Sequence, residues 1–325
     1  MTIAVSVVVP TFNRPDLLER CLAALVEQDM DSHAYDIVVA DDAASVETQR
    51  QVEEWRERCA GAGPTIHYLP VRNTQGPAAA RNAGWRSARG AVIAFTDDDC
   101  IPQPGWLVAG VRAIAGGASA VSGRVVVPLP EAPTDYELNA AGLETAEFVT
   151  ANCFVLRVVL AAIGGFDERF AAAWREDSDL HFDLLERGEP IAHAPDAMVV
   201  HPVRPAPWGV SLSQQRKSQY NALLYKKHPV LYRERIQAWP PRRYYAAVGL
   251  LAGMLAGIAA RRPVLAAASG ALWAGLTGQF VAHRLCGASR KPAHLLEMAV
   301  TSAAIPPLAV SWRLYGAVRF RTPFL

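Results

Sequence analysis

Ile3 to Val9 is an almost unbroken apolar, β-branched run that stops at Pro10. A strand with apolar side chains on both faces must be covered on both, which is the situation of a strand inside a parallel sheet. The chain then alternates turn, helix and strand. "TFNRPD" is a turn, with Pro15 suited to the first turn of a helix. Leu17, Leu18, Cys21, Leu22 and Leu25 then fall at helical spacing. A second strand, Asp36 to Ala40, ends in Asp41-Asp42. A polar helix with Val46, Val52 and Trp55 on its inner side precedes a strand at Thr65 to Leu69. A loop containing "NTQGP" opens a helix over 78–88, and Ala91 to Phe95 forms the next strand. Such alternation predicts an α/β fold, a parallel sheet joined by right-handed crossovers. Ligands of these sheets bind beyond the carboxyl ends of the strands. Thr11, Asp41, Asp42, Asp97, Asp98 and Asp99 all lie there, so one rim collects the polar residues.

Asp97 to Asp99 pose an electrostatic problem. Three carboxylates at the end of a buried strand repel one another, and burial raises the pKa values further. A cation relieves both. Hard oxygen ligands suit Mg²⁺ or Mn²⁺, with a substrate phosphate completing the shell. An Asp-rich solvated turn is the alternative for the triplet taken alone.

Further along, a strand is expected over 119–127. Next comes "PLPEAPTDYELNAAGLETAEF", which has no clear period and reads as a partly mobile binding loop. "TANCFVLRVVL" returns to the sheet. "GGFDERF" supplies glycines where the backbone turns tightly, and its Asp167 and Glu168 either touch a ligand or cap a helix. Trp174 to Asp177 opens an amphipathic helix closing at Gly188, and "AMVVHPVRP" gives a final strand ending at His201. "SLSQQRKSQYNALLYKKHP" reads as a basic, aromatic helix, either solvated or facing anionic lipid.

"VSVVVPTFNR", "IVVADD", "GPAAARNAG", "AFTDDDC", "TANCFVLR", "GGFDERF" and "REDSDLHFDLLERG" occur in this order. In sequence and spacing they resemble family 2 glycosyltransferases over about residues 3–202. The resemblance implies the GT-A fold, a Rossmann-like mixed sheet flanked by helices, and inverting, metal-dependent transfer from a nucleotide sugar, a UDP-sugar foremost. Its donor site would take in Pro10, Thr11, the base-reading pair Asp41 and Asp42, Arg81 and Asn82 of "ARN", and Asp97 and Asp98. The pair is followed by Ala43-Ala44 where the family has Gly-Ser. Asp97, Asp99 and His201 would hold Mn²⁺ or Mg²⁺. Asp177 would be the catalytic base with Glu176 beside it, and Asp167, Glu168 and Trp174 would lie on the acceptor side. A haloacid-dehalogenase-like phosphatase and an idle, membrane-anchored sugar-nucleotide-binding module are the competing classes.

Charge divides the chain. After residue 240 there are 10 Lys and Arg against one acid, Glu297, a balance of +9; before it stand 22 against 30, a balance of −8. An acidic body with a basic, Ala/Leu/Gly-rich tail reads as a catalytic domain over 1–240 and a membrane-associated helical region over 241–325. The body would divide into a nucleotide-binding half, about 1–100, and an acceptor-side half, about 101–240. Candidate spans are 244–260 and 264–282, with a weaker one at 298–312 broken by Pro306-Pro307. An Ala-rich helical subdomain outside the membrane is the alternative. The expected acceptor is therefore membrane-proximal, a lipid-linked glycan or cell-envelope polysaccharide, and the tail touches lipid. No nucleic acid is expected among the partners. Need for a nucleotide sugar would put the body on the cytosolic side of the cytoplasmic membrane. Five scattered cysteines without CxxC spacing fit a reducing compartment, and the N-terminus reads as a strand, not a signal peptide.

Overall fold

The structure, a computed structural model, describes residues 3–324. Contacts divide it into two compact units. The first runs to Pro128 and resumes over Ala141–Val203; the second comprises Leu129–Ala140 and Arg204 onward. In chain order, the elements to Pro128 are β1 (Val5–Thr11), α1 (Pro15–Val26), β2 (Tyr35–Asp41), α2 (Val46–Cys59), β3 (Thr65–Pro70), α3 (Pro77–Ser87), β4 (Val92–Phe95), β5 (Ile101–Pro102), α4 (Trp106–Ala115) and β6 (Ala120–Val126). A short α5 (Asp135–Ala140) belongs to the second unit. The first unit then adds β7 (Cys153–Leu156), α6 (Arg157–Ile163), α7 (Glu176–Glu186) and β8 (Ile191–Val200).

The eight strands form one mixed sheet in the order β3-β2-β1-β4-β7-β6-β8-β5. β1 pairs in parallel with β2 and β4, and β2 with β3, as the alternation predicts. β7 then enters antiparallel between β4 and β6, and β5 antiparallel to β8. The helices bury apolar layers against both faces, around Leu22, Ile37 and Trp106 on one and Val8, Phe95 and Leu180 on the other. Register sets the site. Thr11 is level with Asp41, and Val8 with Phe95, so Asp97 to Asp99 leave the sheet beside the end of β1.

In the second unit, α8 (Val210–Gln214), α9 (Tyr220–Lys227) and α10 (Pro229–Leu231) precede α11 (Arg242–Ala259), α12 (Pro263–Arg284) and α13 (Pro292–Arg319). Several expectations change here. The segment after β6 is not structureless: α5 and a 3₁₀ turn over Ala141–Thr145 occupy it. The basic helix is interrupted by a 3₁₀ turn over Gln215–Gln219. Pro306 and Pro307 do not break the third run; they lie inside one helix, with Pro306 buried. Packing on neighbouring helices holds the prolines in a helix that their missing N–H groups weaken. By length and composition α12 and α13 are long and apolar enough to cross a membrane; α11, diluted by Ala and Gly and opened by two arginines, is less apolar. The contact boundary falls at Arg204, not at the change of charge near 240, because residues 204–240 pack with the helices.

Arg284 fixes α5 within this unit. It is buried, donates to Asp135 at 2.7 and 3.1 Å, and reaches the hydroxyls of Thr301 and Ser302 at 2.7 and 3.1 Å. A buried charge needs partners of this kind.

Candidate active site

The end of β2 carries Asp41 and Asp42, and the two carboxylates do different things. Asp41 is fully buried. Its oxygens accept from the Ala43 N–H at 3.0 Å, the Ser45 N–H at 2.7 Å and the Tyr68 hydroxyl at 3.0 Å. It therefore staples the Ala43-Ala44 loop, in which Ala44 takes a left-handed φ of 49°. Asp42 is half-buried and accepts from the Gly76 N–H, at 2.8 and 3.0 Å. Burial raises its pKa against that hydrogen bond, and Asp41 adds repulsion.

The three consecutive aspartates turn to three different partners. Asp97 accepts from Arg81 at 2.6 Å. Asp98 is buried and accepts from the Thr11 hydroxyl at 2.8 Å and from Arg14 at 3.1 Å. Burial pushes it up to about 6, with Arg14 opposing and Asp99 reinforcing the shift. Asp99 lies 3.4 Å from the His201 Nε2. The repulsion expected of the triplet is thus partly relieved by protein cations.

Asp99, Cys100 and His201 bring one potential ligand atom each within 4.8 Å of one another. The His201 Nδ1 is buried without a hydrogen-bond partner. Burial, then the charges of Asp97 and Asp99, push the Cys100 thiol well up, and a soft sulfur is the wrong ligand type for a hard divalent ion. A carboxylate oxygen and an imidazole nitrogen remain, a donor set that fits Mn²⁺ or Mg²⁺. Asp97, expected among the ligands, is held on Arg81 instead and is not part of this group.

Arg81 joins the metal side to the second acidic centre. From α3 it donates to Asp97 and, at 3.2 Å, to Glu176 at the start of α7. All but 3% of Arg81 is buried, and the two carboxylates raise its pKa against the burial. The guanidinium is held by two carboxylates, whereas the motif resemblance places it in the donor site. Its Nε and the Glu176 Oε2 are buried without hydrogen-bond partners. Burial raises Glu176 to about 7, Asp177 adds to the rise, and Arg81 opposes it. Asp177 is half-buried and also raised by burial, against the Ser178 N–H at 2.6 Å and the charges of Arg175 and Arg81. Both acids sit in the first turn of α7, where the helix dipole favours negative charge. The turn opens at Arg175, a non-glycine residue with φ of 77°; such backbone strain collects at functional sites.

Other residues expected at the site also tie neighbouring elements together. The Asn82 amide donates to the Phe166 carbonyl and to Glu168, both at 2.8 Å, while its oxygen accepts from the Trp85 indole and the Phe166 N–H, both at 2.9 Å. All its capacity goes into bracketing α3 to the "GGFDE" loop. Gly165 makes room for it: a Cβ there would come within 2.5 Å of the Asn82 Oδ1. Asp167 pairs with Arg169, and Glu168 with Asn82 and Arg86. Trp174 is 39% exposed beneath the Arg175 guanidinium, and Pro10 closes β1 beside Thr11. Arg14 is the contact that sequence reasoning missed. Its signal was an arginine just past the first strand, facing a rim of carboxylates.

The model of the family "Glycosyl transferase family 2" matches residues 6–152. The chain is 29% identical over 213 residues to the glycosyltransferase AglE of Haloferax volcanii, covering 62% of this chain and 67% of that protein. It is 25% identical over 293 residues to a validoxylamine A glucosyltransferase of Streptomyces hygroscopicus, covering 75% and 61%. A Campylobacter jejuni GalNAc(5)-diNAcBac-PP-undecaprenol beta-1,3-glucosyltransferase is 30% identical over 152 residues, 46% of this chain and 47% of that one. The chain thus spans about two thirds or less of these relatives. Among solved structures, the mannosyltransferase PcManGT of Pyrobaculum calidifontis, in complex with GDP-Man and Mn²⁺, superposes with a TM-score of 0.58 at 22% identity, over 99% of this chain and 88% of that one. At that identity the likeness carries the fold.

Proposed function

The chain belongs to glycosyltransferase family 2, and on that premise we propose that it transfers a sugar, with inversion, from a nucleoside diphosphate donor to a hydroxyl of a membrane-proximal acceptor. The observation that carries this reading is the Arg81 bridge. It ties Asp97, on the donor side, to Glu176, the neighbour of the base, so the two halves of the reaction share one buried ion network.

Asp177 takes the proton of the acceptor hydroxyl as that oxygen attacks the anomeric carbon. The bond from that carbon to the diphosphate oxygen breaks, and the nucleoside diphosphate leaves with the electron pair. Asp99 and His201 would hold a divalent ion, which supplies Lewis-acid stabilisation of the leaving diphosphate. Glu176, raised to about 7 by burial, carries only part of a negative charge at neutral pH and so limits the repulsion around Asp177. Arg81 positions Asp97 and Glu176. Arg14, which reaches Asp98 through one nitrogen only, is the guanidinium placed to meet the diphosphate. Asp42 is proposed to accept the uracil imide N–H of a UDP-sugar.

The acceptor is proposed to be a lipid-linked glycan or cell-envelope polysaccharide. The apolar helices α12 and α13 support it, as does the activity named for the Campylobacter relative. A catalytic unit facing the cytosol follows from its need for nucleotide sugar. A phosphatase is disfavoured because three βα units precede the aspartates. The test is a thermal-shift screen of UDP-, GDP- and dTDP-sugars with and without Mn²⁺, since a ligand bound only by the native state raises apparent stability. A metal-dependent shift with a UDP-sugar is expected. No shift with any nucleotide sugar overturns the reading.

A further inference from the structure

The helical unit holds a cluster that sugar transfer does not use. Helix α12, 22 residues and so about 33 Å long, matches a hydrocarbon core of about 30 Å. Most of its surface is exposed, Val264 to 81% and Leu272 to 61%. It runs back along α11, to which it is joined through Arg261 and Arg262. The contact is close, for a Cβ on Gly257 would lie 2.7 Å from the Ala266 nitrogen. At the far end the Tyr244 and Phe280 rings meet at 5.6 Å. This hairpin therefore has arginines at its turn and aromatic rings at its open end.

At that open end, two cavities of about 380 and 360 Å³ adjoin through Trp239 and Pro240. Tyr225, Arg233 and Phe324 line the first, and Arg242, Arg243 and Tyr244 line the second. Arg242 lies 5.1 Å over the Trp239 ring and Arg233 5.2 Å over that of Tyr225. Trp239 is 69% exposed. Among the described residues, Arg233, Arg242 and Arg243 have no carboxylate partner.

We propose that this end of the hairpin binds the phosphate of an anionic membrane lipid, with Arg233, Arg242 and Arg243 around the phosphate and Trp239 at headgroup depth. Exposed Trp and Tyr settle at the edge of a bilayer. Guanidinium forks suit phosphate oxygens, and arginines close to a membrane surface favour anionic lipid. The lining of aromatic rings and prolines beside an exposed apolar helix favours a lipid over a soluble phosphate. The inference rests on the membrane-proximal part of the proposed function.

The test uses the full chain in nanodiscs containing phosphatidylglycerol and phosphatidylcholine. One lipid at a time is brominated, and the Trp239 contribution to fluorescence is isolated by comparison with Trp239→Phe. Brominated phosphatidylglycerol should quench that contribution more strongly than brominated phosphatidylcholine. Reversing Arg233, Arg242 and Arg243 to Glu should remove the preference, by about fivefold per arginine, and Lys at the same three positions should retain much of it. Equal quenching by both lipids, or a preference unmoved by charge reversal, overturns the proposal. So does a preference abolished by millimolar inorganic phosphate, which would mark a soluble-anion site. Donor thermal shifts on the same samples report separately on the catalytic reading.

Discussion

Arg81 and Glu176 are 95 positions apart in the chain, yet the guanidinium of one donates to the carboxylate of the other at 3.2 Å in a buried site. The same guanidinium holds Asp97 at 2.6 Å. Removing Arg81 would leave two carboxylates without their cation in a poorly solvated place. Arg81→Met is therefore expected to lower unfolding stability by about 3–5 kcal/mol, read as a shift in the denaturation midpoint. A change near zero would mean that the bridge contributes little.

The raised carboxylate of Glu176 predicts a pH dependence. Its native pKa, about 7, lies above the unfolded value of 4.5, so the native state binds this proton more tightly. The stability it contributes is complete below the unfolded pKa and is lost as pH rises through the native one. Urea midpoints measured from pH 4.5 to 8 should fall with this contribution in the native protein. Glu176→Gln, which cannot ionise, should flatten the fall. An identical pH profile for both proteins would contradict the assignment.

Much of this was legible in the sequence. The β-branched runs and polar strand ends marked the rim, and the ordered motifs marked the sheet's mixed character. What pairs with what was not legible, because those partners are distant in sequence. Asn82 reads as a donor contact until the Phe166 backbone, 84 residues on, absorbs its amide. Asp41 reads as a base contact until its loop and Tyr68 fill its oxygens. The second unit was less legible still. Nothing in "EAPTDYEL" announces that Arg284 will hold Asp135, and a double proline reads as a break unless its packing is known.

Arg14 gives a separation of stability from binding. It is 38% exposed, and its pair with Asp98 is partly solvated, so Arg14→Ala should cost no more than about 1 kcal/mol of stability. Donor affinity should fall by about tenfold, through loss of a charged contact to the diphosphate. Isothermal titration with the donor found in the screen distinguishes the two effects, and unchanged affinity would remove Arg14 from the site.

Metal dependence should separate His201 from Cys100. His201→Ala should raise the Mn²⁺ concentration that gives half-maximal activity by about 10–100-fold. Cys100→Ser should leave it unchanged, because thiolate ligands suit softer metals than Mn²⁺. A loss of metal dependence in the serine variant would assign the thiol to the metal.

The central claim is that Asp177 takes the acceptor proton within a site whose donor side is assembled independently. Its most direct test is Asp177→Asn, measured for nucleoside diphosphate release with solubilised membrane glycolipid as acceptor source and for the donor-induced thermal shift. Turnover is predicted to fall by about 100-fold or more while the donor shift remains. Normal turnover in the variant, or a donor shift lost together with activity, would contradict it.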